Sequence, residues 1–255
     1  MRIGGIIDIS TKDIPAKACM VIFTIGCNLS CGFCHNKHLL RKDVGKIMTI
    51  SELLGMVKSN ILVSAVSISG GEPTLQKDLV PLCRGIKELG KYISVDTNGT
   101  NPDVIEKLTK FIDRIALDIK APLTEKKYQL ITMSPVNIDS IKESFKIINR
   151  YKRIDFEIRT TYVGKLLTPY DIHEIISFLK ENNFRGNFVL QQYQYSDGVG
   201  EKYKDKFVKP DHYDILNIIR KYYEEKLPFN IYIRDDIVGY ANINDVFELK
   251  LEDIS

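Results

Sequence analysis

Seven short runs rich in β-branched and aromatic residues punctuate the chain at 19–25, 63–69, 91–96, 113–119, 155–162, 187–193 and 229–234, and most are separated by stretches of helical periodicity. Strand and helix in steady alternation leave few folds open. Consecutive strands must lie parallel, and the connecting helices must cover the sheet from outside. Local signals agree with this alternation. Thr49-Ile50-Ser51-Glu52 reads as a capping box that starts a helix toward Lys58, while Asn101-Pro102 and Thr168-Pro169 place a cap and a first-turn proline ahead of two more. Ile138, Ile141, Phe145 and Ile148, and again Ile215, Ile218, Ile219 and Tyr222, recur at the spacing that gives a helix one apolar face. The expected fold class is α/β, a partial (β/α)6 TIM-like barrel with parallel strands inside and helices outside. The seventh strand either extends the sheet or closes an edge. With 255 residues and no Pro-Gly-rich linker, residues 1–234 form one core, followed by a tail of mixed polarity at 235–255, either packed on the barrel or frayed.

Barrels of this kind assemble their sites at the carboxyl ends of the strands, from several different loops. The chemistry-bearing residues fall there. Cys27 follows the first run, Gly70 and Gly71 the second, Asp96 and Asn98 the third, and Asp118 with Lys120 the fourth. Residues with purely structural roles would have no reason to choose one end.

Cys27-Asn28-Leu29-Ser30-Cys31-Gly32-Phe33-Cys34 can turn three thiolates toward three corners of a 4Fe–4S cube and leave the fourth iron free. The other two of the five cysteines, Cys19 and Cys83, fall in a buried strand and a helix and do not read as ligands. Zinc competes for the triplet, with His35 or His38 as a fourth ligand, although no second ligand pair follows at the usual distance. Cys31-Gly32-Phe33-Cys34-His35 also satisfies the c-type haem pattern, but that attachment occurs outside the cytosol, and the residues after Met1 lack a secretory pattern. Three adjacent thiols and two scattered ones are an odd count for structural disulfides.

Composition adds limits. The chain is 44% hydrophobic and 27% charged, and no apolar run approaches the ~20 residues needed to cross a bilayer, so a cytoplasmic protein without a membrane partner is expected. Thirty-six basic residues against 33 acidic ones give +3, too even a balance to propose a nucleic-acid surface on charge alone. Lys126-Lys127 and the lysines from 202 to 209 read as solvated loop faces.

With an aromatic, Phe33, before its last cysteine, the C-x3-C-x2-C loop resembles that of the radical S-adenosylmethionine (SAM) enzymes, and Cys34-His35-Asn36 is similar to the form seen in activases of glycyl-radical enzymes. Ser69-Gly70-Gly71-Glu72-Pro73-Thr74-Leu75-Gln76, Asp96-Thr97-Asn98-Gly99 and Ala116-Leu117-Asp118-Ile119-Lys120-Ala121-Pro122 also resemble that family, in the same order. Together with the opening Ile3-Gly4-Gly5-Ile6-Ile7-Asp8-Ile9-Ser10, the likeness runs from the N-terminus to about Tyr195. It is strongest to the small activating proteins assigned to anaerobic ribonucleoside-triphosphate reductase.

That resemblance implies one 4Fe–4S cluster on Cys27, Cys31 and Cys34, which form the catalytic centre. It further implies SAM contacted by Phe33, Gly70, Gly71, Glu72, Asp96, Asn98, Asp118, Lys120 and Arg159. Phe33 would meet the adenine, the glycine turn would hold the amino group with Glu72 shaping it, and Asp96 and Asp118 would lie near the carboxylate, with a monovalent cation or Lys120 and Arg159 balancing them. The implied reaction cleaves SAM to a 5′-deoxyadenosyl radical that takes a glycine hydrogen from a protein partner, a glycyl-radical enzyme. Electrons would come from a ferredoxin or flavodoxin.

From the residues alone, Gly70-Gly71 lets a ligand reach the backbone, with a plain βα turn as the alternative. Asp96 and Asp118 need positive charge, with a structural ion-pair network as the alternative. Gln191-Gln192-Tyr193-Gln194 stands where some activases carry a histidine. Glutamine cannot take up charge near neutral pH, so Gln194 receives no catalytic role. The rival functions are a radical SAM enzyme acting on a small molecule or peptide, in the manner of carboxydeazaguanine synthases, and a non-catalytic iron–sulfur or zinc module. Carboxydeazaguanine synthases space their cluster cysteines differently in many members, and extra C-terminal clusters would need cysteines after Cys83, where none occurs.

Overall fold

The computed structural model describes residues 1–41, 43–196, 199 and 205–248. A long antiparallel hairpin opens the chain, β1 (Arg2–Ile14) with β2 (Lys17–Thr24), followed by the two-residue β3 (Lys46–Ile47) and α1 (Ile50–Ser59). Alternation then sets in: β4 (Ala65–Gly70), α2 (Leu79–Glu88), β5 (Tyr92–Thr97), α3 (Pro102–Leu108), β6 (Arg114–Asp118), α4 (Glu125–Thr132), α5 (Ile138–Arg150), β7 (Asp155–Tyr162), α6 (Pro169–Glu181), β8 (Asn187–Gln192), α7 (His212–Ile219) and β9 (Asn230–Asp235). A last hairpin partner, β10 (Gly239–Asn242), and the short α8 (Ile243–Glu248) end the described chain.

All strands join one sheet in the order β10-β9-β8-β7-β6-β5-β4-β2-β1-β3. From β2 through β4 to β9 every neighbouring pair is parallel, so the seventh expected strand extends the sheet. The sheet stays open, with antiparallel strands at both edges. Residues 235–248 therefore complete β9 and add an edge strand and a helix.

The alternation of side chains along the strands separates two interiors. Val66, Ile68, Ile93, Val95, Ile115, Leu117, Phe156 and Ile158 face the helices and merge with them into one large apolar core. Their neighbours Ser67, Ser94, Asp96, Arg114, Glu157 and Arg159 face the concave side. There the only apolar cluster among the described residues is small, formed by Ile14, Cys19, Val21 and Ala65 toward the amino ends of β2 and β4. Cys19 and Cys83 are buried, in β2 and α2.

Capping follows the sequence signals at Thr49 and Thr168, where hydroxyl and carboxylate close reciprocal boxes with Glu52 and Asp171. Asn101 differs. Its side chain makes no cap hydrogen bond and instead donates to Thr74 Oγ1 at 2.8 Å. Lys126 and Lys127 are not on a loop but in α4, where Lys127 pairs with Asp171 at 2.8 Å. Of the lysine-rich stretch at 202–209, residues 202–204 lie outside the described residues, and Lys209 pairs with Asp236. β1 has no clear counterpart in the sequence reading, because its Gly4-Gly5 pair and alternating charges mask the strand. Gly4 lies close under Leu39: a Cβ there would sit 2.3 Å from Leu39 Cδ2, so that side chain would have to shift. Among the described residues no helix is long and apolar enough to cross a membrane.

On α5, Phe145 is 1% exposed and packs its ring against Phe156, Phe178 and Phe184 at centroid distances of 5.6, 5.1 and 5.9 Å. Phe145→Ala is expected to lower the unfolding free energy by about 3–5 kcal/mol through the cavity it leaves, measured by urea denaturation.

Candidate active site

At the carboxyl ends of the parallel strands lies a cleft enclosing about 1010 Å³, its open mouth included. Every residue that the resemblance assigns to the cluster or to SAM lines it: Cys27, Cys31, Phe33 and Cys34 from the loop after β2, Gly70 at the end of β4 with Gly71 and Glu72 just past it, Asp96 and Asn98 at the end of β5, Asp118 and Lys120 at the end of β6, and Arg159 from β7. The fold thus gathers residues spread over more than half of the chain.

The cysteine loop is irregular and is fastened from two sides. Ser30 N–H donates to Thr132 O at 3.1 Å and to Ser134 Oγ at 3.0 Å, tying the loop to the end of α4. From β5, Asn98 Nδ2 donates to Asn28 Oδ1 at 2.9 Å and reaches Cys27 Sγ at 3.9 Å. Gly32 is covered so closely that a Cβ would lie 2.8 Å from Phe207 Cζ. All three thiols are free. Burial pushes Cys31 up to about 11 and raises Cys27, while the Lys120 ammonium lowers both. Since a metal takes the thiolate, loading the loop must release protons. The three thiols perturb one another electrostatically. Yet among the described residues no set of three His, Cys, Asp or Glu side chains is gathered to grip a single ion. Three free thiols on one short loop are the donor set that a multi-iron cluster takes.

The glycine turn is explained differently from the expectation. Gly70 has φ +119°, and a Cβ there would sit 2.4 Å from Thr24 N and O, while one on Gly71 would sit 2.1 Å from Gly26 O. The pair is needed because the chain after β4 presses on the chain after β2, where Gly71 N–H donates to Thr24 O at 2.9 Å and Glu72 N–H to Gly26 O at 2.8 Å. Both glycines also line the cleft. Glu72 is 1% exposed and its carboxylate is saturated. Oε1 accepts from Thr74 N (3.1 Å), Thr74 Oγ1 (2.6 Å) and Thr97 Oγ1 (2.7 Å), and Oε2 accepts from Asn98 N (2.7 Å). Burial raises this carboxyl and the four donors oppose the rise.

The acidic pair does find positive charge, from the chain itself. Asp118 pairs with Lys120 at 2.9 Å, and Asp96 with Arg159 at 3.1 Å. Two residues that the sequence reading missed complete the concave floor. Glu157 accepts from Arg159 Nε at 2.5 Å and pairs with Arg114 at 2.8 Å, and Arg114 Nη1 also donates to Ser94 Oγ at 2.7 Å. Tyr240, from the edge strand β10, donates to Glu157 Oε2 at 3.2 Å. Burial would raise Glu157, but Arg159 and Arg114 outweigh it and bring the carboxyl down to about 2. Arg159 is raised despite its own desolvation, by Asp96 and Glu157. Asp96 Oδ1 is buried without a hydrogen-bond partner, its cation Arg114 standing 3.9 Å away. A signal for Glu157 existed in the alternation Phe156-Glu157-Ile158-Arg159, which puts both charges on the face away from the helices. Of the glutamine run, Gln191 lines the cleft with Thr161, and Gln194 is turned onto Gln192.

Residues 21–180 match the radical SAM superfamily. A Methanocaldococcus jannaschii protein provisionally named a glycyl-radical enzyme activating enzyme is 36% identical over 257 residues, covering 97% of this chain and 98% of its own. A Pyrococcus horikoshii protein provisionally named GTP 3′,8-cyclase is 30% identical over 66% of this chain and 54% of its own. Among solved structures, Streptococcus suis SuiB bound to S-adenosylmethionine superposes with a TM-score of 0.67 at 23% identity over 84% of this chain. The matched region is 50% of SuiB, so that likeness speaks for the fold.

Glu157→Gln is expected to cost about 3 kcal/mol at neutral pH, because it leaves two buried guanidiniums short of a counter-charge. The folded carboxyl lies below its ordinary value of 4.5, so its stabilisation is complete above about 4.5 and is lost as the pH falls toward about 2. Urea midpoints followed from about pH 7 to about pH 2 should show that acid slope in the wild type and a shallower one in the variant.

Proposed function

The chain belongs to the radical SAM superfamily, and we propose that it activates a glycyl-radical enzyme, in the manner of the activating proteins of anaerobic ribonucleoside-triphosphate reductase. The observation that carries this reading is the convergence of the three free thiols, the glycine turn and the Asp118–Lys120 pair on one cleft, in a chain matched along 97% of its length by a protein named for that activity. Membership implies a 4Fe–4S cluster and SAM, and the donor set fits the cluster. When bound, the two together supply reductive cleavage of the sulfonium and a 5′-deoxyadenosyl radical.

The protein's part is positional. Cys27, Cys31 and Cys34 would hold the cluster. Asn98 keeps the Cys27 end of the loop against β5, and Thr132 and Ser134 keep its middle against α4. The backbone of Ser69–Gly71 offers its polar groups to the SAM amino group, and Phe33, 7% exposed, shields the adenine side from water. Lys120 and Arg159 take the SAM carboxylate. Asp118 and Asp96 remain as their counter-charges, and Asp96 Oδ1 is an oxygen free to accept a monovalent cation. The open sheet leaves room for a protein loop carrying the target glycine.

A small-molecule reaction is the second reading, favoured by the cyclase relatives. The P. horikoshii protein provisionally named GTP 3′,8-cyclase is 30% identical over 66% of this chain, against 36% over 97% for the M. jannaschii relative, and that difference supports the first reading over this one.

Anaerobically reconstituted protein, reduced and supplied with SAM and the candidate reductase, is expected to produce 5′-deoxyadenosine and a glycine-centred doublet in the electron paramagnetic resonance spectrum of the partner. Absence of that doublet with 5′-deoxyadenosine still formed would favour the small-molecule reading. Cys31→Ala is expected to lose the cluster and reduce 5′-deoxyadenosine to background, while Lys120→Ala retains iron and weakens SAM binding by about tenfold or more. Iron analysis and equilibrium SAM binding check the two.

A further inference from the structure

A second cleft opens at the same rim of the sheet, between the ends of β8 and β9 and the start of α7, and encloses about 960 Å³ with its open mouth included. It meets the first at β8. Gln191 lines the first cleft and its neighbour Gln192 lines this one, so the two recesses lie on opposite faces of one strand end. None of the residues that the resemblance assigns to the cluster or to SAM lines the second cleft.

His212, 6% exposed, lines this cleft, and its Nδ1 lies 2.6 Å from Asp235 Oδ2. Asp235 Oδ1 accepts from Ile237 N–H and Val238 N–H, both at 2.9 Å. A carboxylate so placed takes the imidazole hydrogen at Nδ1, which leaves Nε2 as the remaining polar atom of the ring. Nε2 is buried without a hydrogen-bond partner. An ionised ring would leave a charged N–H bare there, so the ring is neutral and Nε2 offers a lone pair. The polar neighbours are engaged elsewhere. Gln192 Nε2 donates to Pro210 O at 2.8 Å, and Gln192 Oε1 accepts from Asp236 N–H at 3.2 Å. Asp211 caps α7 by accepting from Asp214 N–H at 2.7 Å, and Lys209 pairs with Asp236.

The partner that His212 lacks is therefore a donor. Asp211, Asp235 and Asp236 stand against Lys209 alone, so an anion is disfavoured and a hydroxyl, amide or ammonium group is selected. At the lip, Tyr213 and Ile237 are 60% and 55% exposed. Tyr213 stands 5.6 Å from the His212 ring, edge to face, and its exposed ring can swing aside without uncovering the core. One buried polar anchor beneath an aromatic and an aliphatic side chain, in an open groove, is the anatomy of a site for a polypeptide. We infer that this cleft docks a segment of the protein substrate, with a hydroxyl, amide or ammonium group of that segment on His212 Nε2. The inference rests on the protein-substrate reading of the first cleft and adds where that partner is held. A chain anchored on the outer face of β8 has only to cross the strand end to bring its target glycine to the first cleft.

The test uses reconstituted full-length protein, reduced and supplied with SAM, and follows the growth of the glycine-centred doublet as the concentration of the candidate reductase is raised. His212→Asn keeps a donor for Asp235 and removes the Nε2 acceptor. It is expected to raise KM for the reductase about tenfold with kcat unchanged, because the partner's donor is then buried without a mate. A merely structural role for the His212–Asp235 pair would not move KM in that variant. Tyr213→Ala/Ile237→Ala, which alters exposed side chains only, is expected to raise KM about threefold or more and decides the matter if His212→Asn loads less iron. Equilibrium binding should show wild-type SAM affinity in both. Unchanged KM in both variants, or a fall in kcat at unchanged KM, would overturn the inference while a wild-type doublet leaves the proposed function standing. Wild type that forms 5′-deoxyadenosine and no doublet would sink the protein-substrate reading, and the inference with it.

Discussion

The cleft hangs from one buried carboxylate. Glu72 binds the turn after β4 to the end of β5 through two of its four hydrogen bonds, from Thr97 and Asn98, while the other two, from Thr74, brace its own turn, and both in turn carry the cysteine loop. On one side Glu72 N–H and Gly71 N–H hold the backbone at Gly26 and Thr24, immediately before Cys27. On the other, Asn98, whose N–H reaches Glu72, turns its amide onto Asn28 and Cys27. A carboxylate buried without such donors would be expensive, whereas one that accepts four can act as a rigid node. The loop between Cys27 and Cys34, which has no regular structure, thereby gains a fixed frame.

How much of this could be read from the sequence follows from the range of the interactions involved. Strand order along the chain, the Thr49 and Thr168 caps and the buried face of α5 were legible because each depends on periodicity or on residues a few positions apart. The cleft was legible for a related reason: in a parallel sheet, a motif just past a strand lies at the common carboxyl end whatever the neighbouring strands are. What sequence could not supply were pairings across strands. Arg114 and Glu157 look like ordinary charges at strand starts, and only the register of β6 on β7, with Arg114 opposite Asp155, brings them into one group. Nor does the Gly70-Gly71 pair announce whether a ligand or the protein's own backbone needs the space. Here the backbone at Thr24 and Gly26 does. β1 escaped because a strand half open to solvent, broken by register shifts after Ile3, Ile7 and Ser10, keeps no clean alternation.

The concave floor raises a separate question, because Arg114, Glu157, Arg159 and Asp96 are poor choices if stability were the aim. Ion pairs taken out of water recover little more than their desolvation costs, and apolar residues of the same volume would often fold as well. Their value lies in placement. Glu157 grips Arg159 at Nε, Asp96 holds it at Nη1, and Tyr240 steadies Glu157 from the edge strand. The guanidinium is thus fixed at the wall of the cleft before anything enters. Two arginines face two carboxylates in this group, and Lys120 faces Asp118, so these six charges are matched in pairs. A ligand that carries both signs can then exchange partners with them one for one, and no charge is left bare in the course of binding.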